Sequence, residues 1–279
     1  MPPRLYQCTP TRLTTWLDCP RRYRFGYLDR PAPPKGPPWA HNSMGVSVHN
    51  ALRAWWSLPR DRRTSRGAGD LVVAGWLEEG FRDAAQSARW RDLARGMVES
   101  YVADLDPDDE PRGVERTVAT RTAVLAISGR VDRIDERAGG LVVVDYKTGR
   151  WVPSTTDARG SLALALYVLG VRRTLRGECR RVELHHLPSG TVAAFDHTED
   201  SLGRHLARAE SLAAEAKAAD AAHAAGLDTD SRDAVFPPRV GALCGWCDFA
   251  RHCPEGRAAA PARRPWDGLD EAAGPPEQP

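Results

Sequence analysis

A chain of 279 residues can bury a sizeable core, as one large domain or as a domain carrying an inserted helical part. Its 42% hydrophobic and 27% charged residues are ordinary for a globular protein. No apolar run approaches the ~18 to 20 residues of a membrane span, and the opening MPPRLYQCTP lacks the apolar stretch of a secretory signal, so a cytoplasmic protein without membrane contact is expected. The net charge of +2 neither demands nor forbids a nucleic-acid partner, which a local patch such as Arg21, Arg22 and Arg24 can meet.

Residues 9–28 read as an opening helix, with Thr9 or Thr11 as cap and Leu13, Trp16 and Leu17 on one face. The Pro/Gly-rich connector PAPPKGPP follows at 31–38. A helix over 43–58 carries Val46, His49, Leu52 and Trp56; an exposed loop is expected at 59–70, then helices over 71–84 and 87–104. This helical part, 43–105, gives way after Asp106–Arg112 to a different period. GVERTVATRT, AVLAISGRVDRIDE and GLVVVDYKTG are rich in Val, Ile and Thr and read as three strands, the last two joined by a turn at Ala138-Gly139-Gly140. A helix over 160–174, strands near 179–187 and 190–196, and an Ala-rich helix over 199–224 complete the pattern. The sheet region is 113–197, and the order argues α/β with a mixed sheet. Residues 257–279, rich in Pro, Ala and Arg, lack an apolar period and are expected to be an unstructured tail after a single domain over 1–256.

In a strand alternate side chains share a face, so Asp145 and Lys147 in LVVVDYKTGR point together while Tyr146 points away. A carboxylate and an ammonium at the end of an apolar strand need partners: a divalent metal with a water or phosphate, or each other as a surface ion pair. The hairpin brings Asp132 alongside, where it can face the same point or pair with Arg130 or Arg133. Mg²⁺ and Mn²⁺ take oxygen ligands of this kind. His49, among apolar residues of a helix, is a ligand only if the carboxylates join it. Otherwise it is a packing residue.

Six cysteines in a reducing compartment argue against a disulfide framework. Cys244, Cys247 and Cys253 have the spacing C-x2-C-x5-C, which suits zinc or an iron–sulfur cluster once a fourth thiolate is found. Cys8 and Cys19 are candidates; Cys179 lies in a strand and reads as a buried apolar residue.

The run CTPTRLTTWLDCPRRYRF, then GVSVHNAL, SGRVDRID and VVDYKTG, resembles the ordered motifs of the RecB-type nuclease family within the PD-(D/E)XK superfamily, over roughly residues 9–255. The C-terminal cysteines add the pattern of its iron–sulfur members, among them the AddB-type nucleases and CRISPR-associated exonucleases. The resemblance implies a restriction-endonuclease-like mixed sheet flanked by helices, with a helical insertion after the first motif. It implies His49, Asp132, Asp145 and the Tyr146 carbonyl as Mg²⁺ or Mn²⁺ ligands and Lys147 as the group that orients water and stabilises phosphate charge. It makes Cys19 the fourth ligand of a [4Fe–4S] cluster, with Zn²⁺ as the alternative. Glu115, Tyr167, Arg21 and Arg22 become possible substrate or supporting residues. The helix after the lysine departs from the pattern, because Ala163 stands where the family places a glutamine four residues before Tyr167.

The implied activity is DNA phosphodiester hydrolysis, from single-stranded ends, in repair or recombination. The chain has no Gly-x4-Gly-Lys-Ser/Thr loop, so a helicase or recombination partner would be a separate protein. The rival expectations are a non-catalytic DNA-binding or scaffolding module that keeps the cysteine site, and a zinc-binding interaction protein with an accidental Asp-x-Lys.

Overall fold

The computed structural model describes residues 5–269. Its opening segment is not one helix. A short strand β1 (Tyr6–Cys8) leads into α1 (Pro10–Asp18) and α2 (Pro20–Tyr27), which meet at Cys19. Pro20 causes the break: its ring disfavours helical backbone in the residue before it, and Cys19 is extended at φ −165°, ψ 110°. Cys19 thereby ends one helix and caps the next.

Three helices follow: α3 (Ala40–Trp56), α4 (Ser65–Ala74) and α5 (Ala84–Ala103). The loop expected at 59–70 is helical from Ser65, where the Thr64 side chain accepts from the Gly67 N–H. Gly67 and Gly69 lower its helix propensity, but Gly69 leaves the place where a Cβ would stand to the Glu99 side chain of α5. Apolar residues of α3, α4 and α5, among them Val48, Leu52, Trp55, Val72 and Val98, bury together against Val142, Val144 and Tyr146 of the sheet. The helical part is therefore one wall of the domain.

The sheet holds β2 (Gly113–Arg121), β3 (Leu125–Arg137), β4 (Gly140–Lys147), β5 (Cys179–His186) and β6 (Thr191–Asp196) as well as β1. It is mixed: β1 is parallel to β3 and β4 to β5, while β2–β3, β3–β4 and β5–β6 are antiparallel. α6 (Thr155–Gly160) and α7 (Leu162–Leu175) follow β4, and α7 covers the face opposite α3–α5 through Leu164, Ala165, Val168 and Val171 against Val131, Val143 and Val182. α8 (Glu199–Ala224) lays Ala209, Leu212, Ala213 and Ala216 against Leu13 and Trp16 of α1. The result is the expected α/β mixed sheet flanked by helices.

β3 is the long strand around which the site forms. One edge pairs with β2 over nearly its whole length. The other pairs with β1 at Leu125–Ile127 and with β4 at Arg133–Arg137, leaving a gap between them. Beyond the Arg133–Val144 rung β4 leaves β3 and pairs only with β5. The sheet forks there, and Asp132 and Asp145 stand on its two prongs.

After α9 (Thr229–Val235) the chain turns through short 3-10 segments to α10 (Pro254–Ala259). The unstructured tail expected from 257 is instead folded as far as Leu269, which is buried with Trp266 against the α3–α5 core. The rest of that expected tail, 270–279, lies outside the described residues.

Candidate active site and cysteine cavity

At the fork the main-chain N–H of Tyr146 has no β3 carbonyl to reach, and Asp132 Oδ2 accepts it at 2.8 Å. That bond fixes the carboxylate and turns Oδ1 toward His49 Nδ1, 3.5 Å away on α3. Glu115 completes the group, with Oε1 3.9 Å from the same nitrogen. One ligand atom from each of His49, Glu115 and Asp132 lies within 4.8 Å of the other two, the one such group of three or more among the described residues.

Glu115 sits opposite Asp132 on β2 with φ +48°, a left-handed backbone that an L residue adopts at a cost of about 1 to 3 kcal/mol. Arg130 Nε holds its other oxygen at 2.8 Å. The sequence ranked Glu115 among supporting residues; the fold puts it in the cluster. Alternation within an expected strand gave no sign of the reversed backbone.

Asp145 is on the other prong, and its Oδ2 meets Lys147 Nζ at 2.6 Å, as their shared face requires. It is not within the 4.8 Å group. Yet its charge reaches the group: burial, opposed by Lys147 and reinforced by Asp132, pushes the Asp145 carboxyl up. Burial and Asp132 likewise push up Glu115. For His49, burial works against the charged form, but the bond to Asp132 and the charges of Asp132, Asp145 and Glu115 outweigh it and raise the imidazole above its ordinary value. Three groups shifted toward protonation mark a site short of positive charge. One imidazole nitrogen with several carboxylate oxygens fits a hard divalent cation.

Tyr146 points away from Asp145, as expected, and its ring meets His49 edge-on at 5.7 Å. Beneath it a buried network holds β3 and β5 to α5: Tyr101 bonds His185, His185 bonds Glu183, and Arg133 reaches Tyr101 and Asp135. Tyr167 of α7 covers Gly129, where a Cβ would lie 2.5 Å from its ring. Burial and then the charges of Asp145 and Asp132 push the Tyr167 phenol up to about 12. Thr9, Pro10, Arg53 and Arg130 complete the cleft with these residues.

The basic patch read at 21–24 dissolves in the fold. Arg21 pairs with Glu255 at 2.6 Å and Asp233 at 3.4 Å, and Arg24 with Asp29 and Asp233 at 3.3 Å each, both buried. A guanidinium so committed is unavailable to substrate. Their partners Asp233 and Glu255 lie more than two hundred residues away, beyond any sequence window. Arg22, half-buried, faces a second cavity instead.

That cavity is lined by Cys19, Cys244, Cys247 and Cys253 together with Phe25 and Phe249. Cys19 and Cys253 are each followed by proline and each cap a helix, their sulfurs accepting the N–H of Arg22 at 3.5 Å and of Gly256 at 3.4 Å. A Cβ on Gly256 would sit 3.3 Å from Cys253 Sγ and 3.4 Å from Cys244 Sγ, so glycine lets the two thiols approach this helix. No three of the four sulfurs fall within 4.8 Å of one another. Cys8 and Cys179 are buried in the apolar cores, Cys179 as expected.

No helix among the described residues is long and apolar enough to cross a membrane. No curated protein matches the chain. Among solved structures it is similar to the crystal structure of SSO0001, with 16% identity over 90% of this chain and 87% of that one, and a TM-score of 0.38. The family model of the PD-(D/E)XK nuclease superfamily matches residues 7–254. A helix-flanked mixed sheet, split where acidic strands part beside a lysine, is the frame on which that match falls, and the chain belongs to the PD-(D/E)XK nuclease superfamily.

Proposed function

We propose that the protein is a Mg²⁺- or Mn²⁺-dependent deoxyribonuclease that acts on single-stranded ends. The observation that carries this reading is the meeting of His49, Glu115 and Asp132 beside the Asp145–Lys147 pair at the sheet fork. A scaffold needs no such concentration of like charge, which costs stability unless a cation or substrate uses it.

His49, Asp132 and Glu115 would hold the cation, with Asp145 and the Tyr146 carbonyl as the remaining donors. When bound it would polarise the phosphoryl oxygens and acidify water. The chain's own groups do the rest. The Tyr146 N–H keeps Asp132 from rotating, and Arg130 keeps Glu115 turned inward. Lys147 presents a point charge where negative charge grows on the phosphate, and it orients the attacking water. Tyr167 shields the fork on the α7 side. Ala163 leaves its family's usual polar contact unfilled, so the strand is positioned by other groups.

The four cysteines are read as ligands of a [4Fe–4S] cluster. What favours a cluster over zinc is the resemblance to the iron–sulfur members of the family; four thiolates lining one cavity suit either. A cytoplasmic place in repair or recombination, with a separate helicase supplying unwound ends, completes the reading.

The test is cleavage of end-labelled single- and double-stranded DNA by anaerobically purified protein with Mg²⁺ or Mn²⁺. Metal-dependent cleavage of single strands that is lost in Lys147→Ala supports the assignment. Equal cleavage by both proteins would point to a contaminant and sink it. A colourless, zinc-loaded preparation would overturn the cluster alone.

A further inference from the structure

We propose that the groove beside the acidic cleft is the track along which a single-stranded nucleic acid reaches it, and that Arg121 and Arg173 grip its phosphates there. The inference rests on the nuclease reading and names how that site receives its strand.

The groove runs between β1 with the start of α1 on one side and the ends of β2 and β3 on the other. Thr9 lines both groove and cleft, and Ser128 of the groove is followed by Gly129 of the cleft, so one surface passes through both. Three arginines line the groove and no carboxylate does. Arg12 is spoken for by Tyr23 and Asp220. Arg121, at the end of β2, and Arg173, near the end of α7, are both exposed, and their side chains make no hydrogen bond or ion pair among the described residues. Two guanidinium groups on one groove, unopposed by any acid, create a local positive potential whose natural complement is a polyanion. Tyr27 also lines the groove, but Arg12 lies over its ring at 5.2 Å, so the groove offers charge to phosphates rather than a free face to bases. The choice of a single strand over a duplex follows from the nuclease reading on which the inference rests. The two arginines lie far apart in sequence, whereas Arg21 and Arg24 of the run at 21–24 are buried. The fold assigns the contact surface where sequence clustering did not.

The experiment measures binding with the cleavage-disabled Lys147→Ala chain, so the groove is judged whether or not the protein is a nuclease. Labelled oligodeoxynucleotides, single-stranded and duplex, are titrated against Lys147→Ala and against Lys147→Ala/Arg121→Ala/Arg173→Ala over a series of salt concentrations. The expected result is a loss of single-strand affinity of about tenfold or more at low salt. The log–log salt slope should flatten by about 1.4, the release expected for two lost phosphate contacts on a single strand. Unchanged affinity and slope would overturn the proposal, and so would a loss confined to duplex. A variant with Arg121→Lys and Arg173→Lys separates charge from folding: it should regain most of the affinity, and failure to do so with an unchanged melting curve also counts against phosphate contact. In the active chain, the Arg121→Ala/Arg173→Ala pair should raise KM for oligonucleotides. Hydrolysis of bis(4-nitrophenyl) phosphate, too small to reach the groove, should stay within about twofold. Should the active chain hydrolyse neither substrate, the nuclease reading falls, and the binding comparison still decides the groove.

Discussion

At the acidic cluster the donors come from α3, β2 and β3, elements fixed by ladder hydrogen bonds and by apolar burial on both faces of the sheet. At the cysteine cavity they come from a helix break at Cys19 and from short 3-10 turns more than two hundred residues later. The first region is held in place by the fold and is under electrostatic tension, since burial and mutual repulsion raise Glu115 and Asp145 while the carboxylates raise His49 against its burial. The second has little regular hydrogen bonding of its own and sets Cys19 beside a segment more than two hundred residues away. The difference separates two meanings of a functional residue. Altering the acidic site should change chemistry at nearly constant stability, and altering the cysteines should change stability at nearly constant chemistry per folded molecule.

The largest expected effect belongs to Lys147→Ala. Removing a fixed charge from the place where phosphate charge grows should lower kcat on single-stranded DNA by at least about a hundredfold. Lys147 is 47% exposed, so the lost ion pair should alter folding stability by less than about 1 kcal/mol. Parallel measurement of turnover and thermal melting checks both halves. A large fall in melting temperature would erase the contrast between the regions. Cys247→Ala is the converse. If the cavity holds a cofactor that ties Cys19 to the C-terminal segment, losing it frees a loop whose closure is worth roughly 5 kcal/mol by analogy with a cross-link of that length. The yield of folded protein and its melting temperature should fall, while kcat of the surviving folded fraction stays near wild type.

Much of the acidic site was legible because it follows from periodicity. Alternation along β4 puts Asp145 and Lys147 on one face, and the turn at 138–140 brings Asp132 alongside; the 2.6 Å ion pair and the 2.8 Å bond from Tyr146 to Asp132 are the outcome. The fork was not legible, since a strand that leaves its neighbour carries the same residue pattern as one that stays. Nor was the inward turn of Glu115, which depends on one reversed backbone angle. Pro20 signalled the break at Cys19, but apolar spacing on both sides of it favoured one helix. The arginines misled most. Clustering in sequence suggested a surface at 21–24, whereas Asp233 and Glu255 draw Arg21 and Arg24 inside.

A histidine outside both regions sharpens any pH comparison between them. His197 is 1% exposed and bonded to Ser201 through Nδ1; burial, then His205 and Arg172, hold its pKa down at about 4. An unfolded chain binds that proton near pH 6.5. Between those values the unfolded state holds more protons, so stability must fall as pH drops from about 6.5 to 4, by about 3 kcal/mol for this group. Denaturant melts at pH 7 and 4.5 should show the loss, and His197→Gln should remove most of it. An identical acid slope in the variant would return the effect to one of the two sites.

The smallest effect tests the tension at the acidic cluster directly. Glycine accepts a φ of +48° without strain, and Glu115→Gly also removes one of the crowded carboxylates. The metal-free variant should therefore be more stable than wild type by about 1 kcal/mol, despite losing the Arg130 contact, which is exposed on the arginine side and worth little. Cleavage should fall in the same variant, because a donor to the cation is gone. Opposite signs for stability and activity are what a site strained for function predicts. A substitution that lowered both would instead make Glu115 a structural residue of β2, and the acidic cluster would lose its third member.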